Sequence, residues 1–285
     1  MTRTLVAGID LTAMGRRVAD RARILAEEGD STINLVHVLE PVGEAMIDPG
    51  LARLMREHQM AEARQIADWL MQRTDVEVTL DVVKGSPAWE LASRAKKADL
   101  IILGSSTVDA FAAGPITRRV AHMALSDVLV VRRQPRVPYR RIIAAVDFSE
   151  ASRAAVKRAL RMSSEAEVTV LYSLPSRFDS MLAESGLFRE EMDASRRERM
   201  EAARDRMNEF TQEWNGEVRT MVTDGPPAET IDESVRRRNA DLVVVGSRGA
   251  SATRMVLLGN VAEGLVGHAP CDVLIARSPA NFRRP

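Results

Sequence analysis

The chain repeats itself, and this limits what it can fold into more than any other feature. LVAGID at residues 5–10 returns as IIAAVD at 142–147, and GSPA at 85–88 returns as GPPA at 225–228. ADLIILGS at 98–105 returns as ADLVVVGS at 240–247, and DVLVVR at 127–132 as DVLIAR at 272–277. The offsets are 137, 140, 142 and 145, rising in one direction as small insertions accumulate in the second copy. Each copy is domain-sized. The expected domains are 1–134 and 139–280. They are joined by RRQPRVPYR at 132–140, whose prolines and basic side chains suit an exposed linker.

Each copy alternates strand and helix. In the second, RIIAAV reads as a strand buried on both faces. The helical stretch EASRAAVKRALRMS follows, with Ala155, Val156, Ala159, Leu160 and Met162 on one side. VTVLYSL is the next strand, followed by a long charged helix from about Phe188 to Trp214. EVRTMV, the helix PAETIDESVRRR, DLVVVG, a helix after Gly259 and DVLIA complete the unit. Five strands with helical crossovers imply a parallel sheet covered on both faces. The fold class is therefore α/β, with two tandem five-stranded parallel-sheet domains. Ligands of such sheets bind outside the carboxyl ends of the strands, here Asp147, the loop after Leu174, Asp224-Gly225 and Gly246.

At the last of these ends lies GSRGASATRMVLLGN, residues 246–260, with Gly246, Gly249 and Gly259 separated by two and nine residues. A helix opening at Gly259 offers unpaired N–H groups and the positive end of its dipole, which suits phosphate. Glycine lets the backbone approach an anion closely. Asn260 can add an amide donor and Arg248 a charge. The alternative is that these glycines only shape a turn and start a helix. Neither the Walker pattern nor GxGxxG is present.

Both copies resemble the universal stress protein family, and the chain resembles its tandem two-domain members. GSRGASATRMVLLGNVAEGLVGHAPCDVLIAR matches the G-x2-G-x9-G spacing of the ATP-binding members, with Asn260 where Ser or Thr is usual. The resemblance implies an adenine-nucleotide alpha hydrolase-like, Rossmann-like sandwich. It also implies that Asp147 holds the adenosine end, that Val146 and the backbone near Leu174 line the base, and that Gly225 approaches ribose or phosphates. Val245, Gly246, Arg248, Gly249, Gly259, Asn260 and Val261 complete the implied nucleotide site. The ligand implied is ATP or ADP with Mg2+.

The first copy departs from this pattern. Asp10 and Gly85 survive, but Thr107 stands at the Gly249 position. The step from Gly104 to Gly114 is ten residues, against thirteen from Gly246 to Gly259. Pro115, at the Asn260 position, has no N–H to give. The first domain is expected not to hold ATP.

Other candidates read as structure. Asp10 and Asp147 belong to separate copies, which argues against a catalytic pair. Ser149 caps the following helix. His37, His58, His122 and His268 have no metal-ligand spacing, and Cys271, the one cysteine, is a small core residue. Trp69, Trp89 and Trp214 are expected to anchor helix packing, and Arg236–Arg238 to face solvent at a helix end. The charged helices at 51–73 and 188–214 are candidates for a lid or a partner surface. No catalytic or metal residue is assigned.

The 40 basic and 40 acidic side chains cancel, which removes the electrostatic reason to coat nucleic acid or an anionic membrane. The N-terminus turns polar too soon for a secretory signal, and no apolar run approaches the roughly 20 residues of a membrane span. A cytoplasmic protein is expected, a homodimer with a possible protein partner and no membrane insertion. The family resemblance implies that it acts in stress response or regulation through nucleotide-dependent partner contacts. The pairing that family members make between their last strands across a twofold is available here within one chain. The alternatives are a slow ATP hydrolase or phosphotransferase, and an interaction module with vestigial sites.

Overall fold

The structure is a computed structural model. It describes residues 3–40, 48–105, 113–175, 189–247 and 258–277, apart from the side chains of 189–193. Two compact units are present, one built mainly from residues up to Pro138 with Val266–Ile275, the other mainly from Tyr139 onward with Gly259–Leu265.

The first unit runs β1 (Arg3–Gly8), α1 (Ala13–Glu28), β2 (Ser31–Leu39), α2 (Pro49–Met71), β3 (Val78–Lys84), α3 (Pro87–Ala95), β4 (Leu100–Gly104), α4 (Pro115–Met123) and β5 (Asp127–Val131). The strand order is β3-β2-β1-β4-β5, all parallel. Val6, Ala7, Leu35, Val36, Ile101, Ile102 and Leu129 are buried, so the central strands are covered on both faces. Chain order reverses between β1 and β4, and a crevice opens there at the strands' carboxyl ends. Thr12 caps α1 by accepting the Met14 amide at 3.1 Å.

The second unit repeats the pattern with β6 (Arg141–Val146), α5 (Glu150–Ala159), β7 (Glu167–Leu174), α6 (Arg189–Thr211), β8 (Val218–Asp224), α7 (Pro227–Arg238), β9 (Leu242–Gly246) and α8 (Asn260–His268). Its strand order is β9-β6-β7-β8, again parallel. A 3-10 turn, Gln212–Trp214, extends α6, matching the expected helix end. Ala155, Val156, Ala159 and Met162 are buried, as the helical spacing predicts. Ser149 caps α5 by accepting the Ser152 amide at 3.2 Å.

β10 (Asp272–Ala276) closes the second repeat in sequence but pairs antiparallel with β5. Val273 stands opposite Val130, Leu274 opposite Leu129 and Ile275 opposite Val128. The pairing of last strands within one chain is therefore found. It is fastened by Asp272, fully buried, which accepts the amides of Arg132 at 2.8 Å and Arg133 at 3.1 Å. Its other oxygen lies 3.5 Å from Arg21 Nε.

Two expectations are corrected. The 132–140 segment is not wholly exposed, because Arg132, Pro135 and Tyr139 are buried. Arg132 is drawn inward by the carbonyl of Val266, which accepts its guanidinium at 2.5 Å. Trp89 does not anchor packing; it is 60% exposed on α3, whereas Trp214 is buried. Arg236, Arg237 and Arg238 face solvent, two of them paired to Asp232 and Glu233 one turn back.

Candidate functional site

In the second unit, Asp147 follows β6 directly. Its Oδ1 accepts Ser152 Oγ at 2.6 Å and the Ser149 amide at 3.1 Å, while its own amide donates to Ser152 Oγ at 2.9 Å. The carboxylate therefore organises the entry to α5 as well as standing at a strand end. Val146 and Val245 are buried beside it at the ends of the adjacent strands β6 and β9.

Gly225 has a φ of +133, and Gly85 in the first copy has +150. The repeated glycine thus meets a conformational demand that other residues rarely satisfy. The Gly225 amide donates to Leu174 O at 3.0 Å, and its carbonyl accepts Ser173 Oγ at 2.8 Å. These bonds hold the ends of β7 and β8 together, with Asp224 paired to Arg196 of α6.

Gly246 is explained by packing. A Cβ there would lie 2.8 Å from the carbonyl of Ala151, so the bare backbone admits α5 against the strand end. Arg248 and Gly249 lie outside the described residues, as does Thr107 in the first copy. Gly259 has no positive φ among the described residues, and its amide donates to Ser247 O at 3.0 Å. Its carbonyl accepts the Glu263 amide at 2.9 Å, so α8 begins at Asn260. The amides of Asn260, Val261 and Ala262 occupy the first turn, where no helical carbonyl precedes them. Asn260 is exposed and Val261 half-buried. The Gly259 amide is thus already engaged, and an anion expected at this turn would have to meet the amides just after it.

Residues that the sequence reading missed stand next to Asp147. Phe148 has a φ of +64, an unusual conformation for a bulky side chain. Its ring centroid is 4.4 Å from that of Tyr172 and 5.4 Å from that of Phe210, and the Arg206 guanidinium lies 4.6 Å from it. Burial pushes the Tyr172 phenol above its usual pKa; Arg206 acts against this and Asp147 adds to it. Phe148 follows the repeated LVAGID/IIAAVD stretch, where the first copy has Leu11. Comparing the copies beyond that stretch would have pointed to it.

In the first unit, the crevice at the ends of β1, β2 and β4 is a cavity of about 330 Å³. Asp10 lies on its wall, and its Oδ1 alone accepts Thr12 N, Thr12 Oγ1 and Gly15 N. A Cβ on Gly15 would fall 1.9 Å from Asp10 O, so that position must be glycine for the loop to close. At the far wall Gly114 precedes α4 without any side-chain cap, and Pro115 takes the first helical position. Thr117 Oγ1 turns back to Gly104 O at 2.7 Å. The described residues of the chain contain no cluster of three or more His, Cys, Asp or Glu able to hold a metal ion. No helix among them is long and apolar enough to cross a membrane.

Comparison with known proteins agrees with this architecture. A universal stress protein of Methanocaldococcus jannaschii is 31% identical over 144 residues, covering 50% of this chain and 84% of that protein. The crystal structure of a universal stress protein from Archaeoglobus fulgidus covers 97% of this chain and 96% of its own, at 17% identity and a TM-score of 0.72. A universal stress protein solved in complex with cAMP is 25% identical, covering 46% of this chain and 97% of its own, with a TM-score of 0.36. The universal stress protein family profile matches twice, over residues 1–132 and again over 138–277. The chain belongs to the universal stress protein family, with two such domains in tandem.

Proposed function

We propose that the second domain binds ATP or ADP, with Mg2+, and that occupancy of this site governs contacts with a protein partner. The observation that carries this is the glycine spacing of 246–260 delivering the chain into the start of α8. There the amides of three successive residues, 260–262, are free of helical acceptors, and Asn260 adds an exposed side-chain donor. Asp147, Val146 and Val245 stand at the neighbouring strand ends, where the adenosine would lie. Leu174 and Gly225 join at the ends of β7 and β8. The chemistry supplied by Mg2+ is neutralisation of phosphate charge. The lack of an acidic cluster among the described residues suits an ion held chiefly by the phosphates and water.

On this reading the loop from Ala250 to Leu258 carries the signal, since it links the two glycines nearest the phosphates. Asp147 and the Ser152 hydroxyl are joined in organising the turn into α5, so binding rather than turnover is the activity proposed. A second reading, an interaction module with a vestigial site, is favoured by one observation. Asp147 Oδ1 and the Gly259 amide already have partners within the protein.

Gly259→Val decides between them. Its two methyl groups would project toward the anion without touching the adenosine end. ATP and ADP are expected to lose at least tenfold in affinity by calorimetry, and adenosine to lose little. Asn260→Ser is expected to keep or improve ATP binding. Equal losses for adenosine and ATP, at an unchanged melting temperature, would overturn the phosphate assignment. Failure of the parent protein to bind ATP at all would favour the interaction module.

A further inference from the structure

Among the described residues other than glycine, only Phe148 and Asn239 have a positive φ. Asn239 is the left-handed cap of α7, a place that asparagine commonly takes. Phe148, at +64, has no such excuse, because bulky side chains rarely visit this region. A residue held there keeps its conformation only where its surroundings fix it.

The turn itself does not demand that φ. Asp147 Oδ1 accepts the Ser149 amide at 3.1 Å, closing a short turn over Phe148. The first domain makes the same bond, from the Thr12 amide to Asp10 Oδ1 at 3.1 Å, over Leu11. Leu11 has no positive φ. One turn therefore closes in two backbone forms, relaxed at Leu11 and strained at Phe148. What distinguishes Phe148 is what its ring meets: Tyr172 of β7, and Phe210 and Arg206 of α6. Phe210 is buried in turn, with the Arg153 guanidinium of α5 4.8 Å from its ring and the Trp214 ring 5.8 Å away. Ala203, Met207 and Phe210 seat the second half of α6, whereas residues 194–198 are exposed. Phe148 thus joins the turn at the strand end to the seated half of a long helix.

We infer that Phe148 is a conformational switch that couples the Asp147 turn to α6. In the strained form the ring is seated and holds α6 down. In the relaxed form, the one taken at Leu11, the ring withdraws and the seated half of α6 is released. The two copies give the direction of the coupling. The relaxed turn belongs to the domain whose pattern Pro115 breaks, and the strained turn to the domain with the glycine spacing intact. A ligand at Asp147 therefore favours the strained form and tightens α6. By reciprocity, a contact that holds α6 down raises affinity for that ligand by the same factor. Glu201, Arg204, Asp205 and Glu209 are exposed on the seated half, so a partner gripping this charged face senses the occupancy of the strand end. The choice of a nucleoside as ligand rests on the function proposed above for the second domain; the two forms of the turn do not.

The test uses the full chain and begins with the strain. In chemical denaturation Phe148→Gly is expected to show a folding equilibrium constant several times that of Phe148→Ala, since only glycine takes a positive φ freely. Equal stabilities would remove the strain and with it the switch. Hydrogen exchange read by mass spectrometry follows α6. Phe148→Leu, which installs the first copy's residue, is expected to speed exchange over 203–211 about threefold or more, with circular dichroism unchanged. Adenosine added to the parent is expected to slow the same amides. Phe210→Leu acts on the α6 side of the contact, yet it is expected to weaken adenosine about threefold by calorimetry. Combining Phe148→Leu with Phe210→Leu is expected to weaken adenosine no further than Phe148→Leu alone, because the two act through one contact. Adenosine that binds without altering α6 exchange, or binds Phe210→Leu as it binds the parent, would overturn the coupling. If the parent binds no adenosine, the nucleoside reading falls. The glycine-alanine comparison and the exchange of Phe148→Leu then decide the switch by themselves, and parent-like exchange in that variant would sink it.

Discussion

Asp10 and Asp147 occupy the same position in two copies of one unit, yet their hydrogen-bond partners differ. Asp147 Oδ1 accepts the Ser152 hydroxyl and the Ser149 amide. Asp10 Oδ1 accepts Gly15 N in place of the serine hydroxyl, together with two donors from Thr12. Replacing Asp147 by Ala is expected to weaken ATP and adenosine alike, by roughly 1–3 kcal/mol for a charge-assisted hydrogen bond. Asp10→Ala is expected to leave ATP affinity alone. Both variants lose a turn-organising carboxylate, so melting temperatures fall in both and the discrimination lies in the calorimetry. Identical effects on ATP would place the nucleotide in the wrong domain. Two glycines extend the point to stability. A Cβ at Gly15 would meet Asp10 O, and one at Gly246 would meet the Ala151 backbone. Neither obstacle is the movable end of a side chain. Gly15→Ala and Gly246→Ala should each cost about 1–3 kcal/mol in chemical denaturation, as overpacking does.

At the scale of elements, the repeat made most of the fold legible. Apolar runs such as DLVVVG and DVLIA became buried strands because a sheet covered on both faces needs no polar alternation. PAETIDESVRRR became a helix with its own bounds, since prolines open it and a left-handed Asn239 ends it. What stayed hidden depended on tertiary partners. Arg132 is charged, next to prolines and typical of a linker, but buried carbonyl and carboxylate groups draw it in. Gly246 looks like part of a phosphate loop, while its bareness is accounted for by the approach of α5. His37 is one of four histidines without metal spacing, and only the packed structure shows it buried with Nδ1 3.1 Å from Ile9 O. Asp272 is the element-scale test. Its carboxylate serves two amides at the end of β5 and faces the buried Arg21 guanidinium. Removing one member of a buried ion pair leaves the other uncompensated, so Asp272→Ala is expected to cost about 3–5 kcal/mol in chemical denaturation. A loss below about 1 kcal/mol would mean that the arginines find other acceptors when β5 and β10 part.

For the molecule as a whole, the two copies share a fold, and the difference in ligand chemistry proposed for them sits at two helix starts. α4 opens with Pro115, which contributes no amide, beside a cavity carrying two carboxylates and no described cation. α8 opens with Asn260, which keeps its amide and adds a side-chain donor for the anion proposed there. One ATP per chain is therefore expected by calorimetry, and two equal sites would refute the argument from unequal copies. Asn260→Pro sharpens this by giving the second helix the first one's opening residue. Proline is well tolerated at the first helical position, where its fixed φ is already helical and the lost N–H has no helical acceptor. The variant should therefore fold with a melting temperature close to that of the parent, while its ATP stoichiometry falls from one to none within the measurable range. Adenosine affinity should change little, because the substitution is remote from Asp147. If Asn260→Pro binds ATP as the parent does, the start of α8 does not hold phosphate, and the asymmetry between the domains must arise from some other contact.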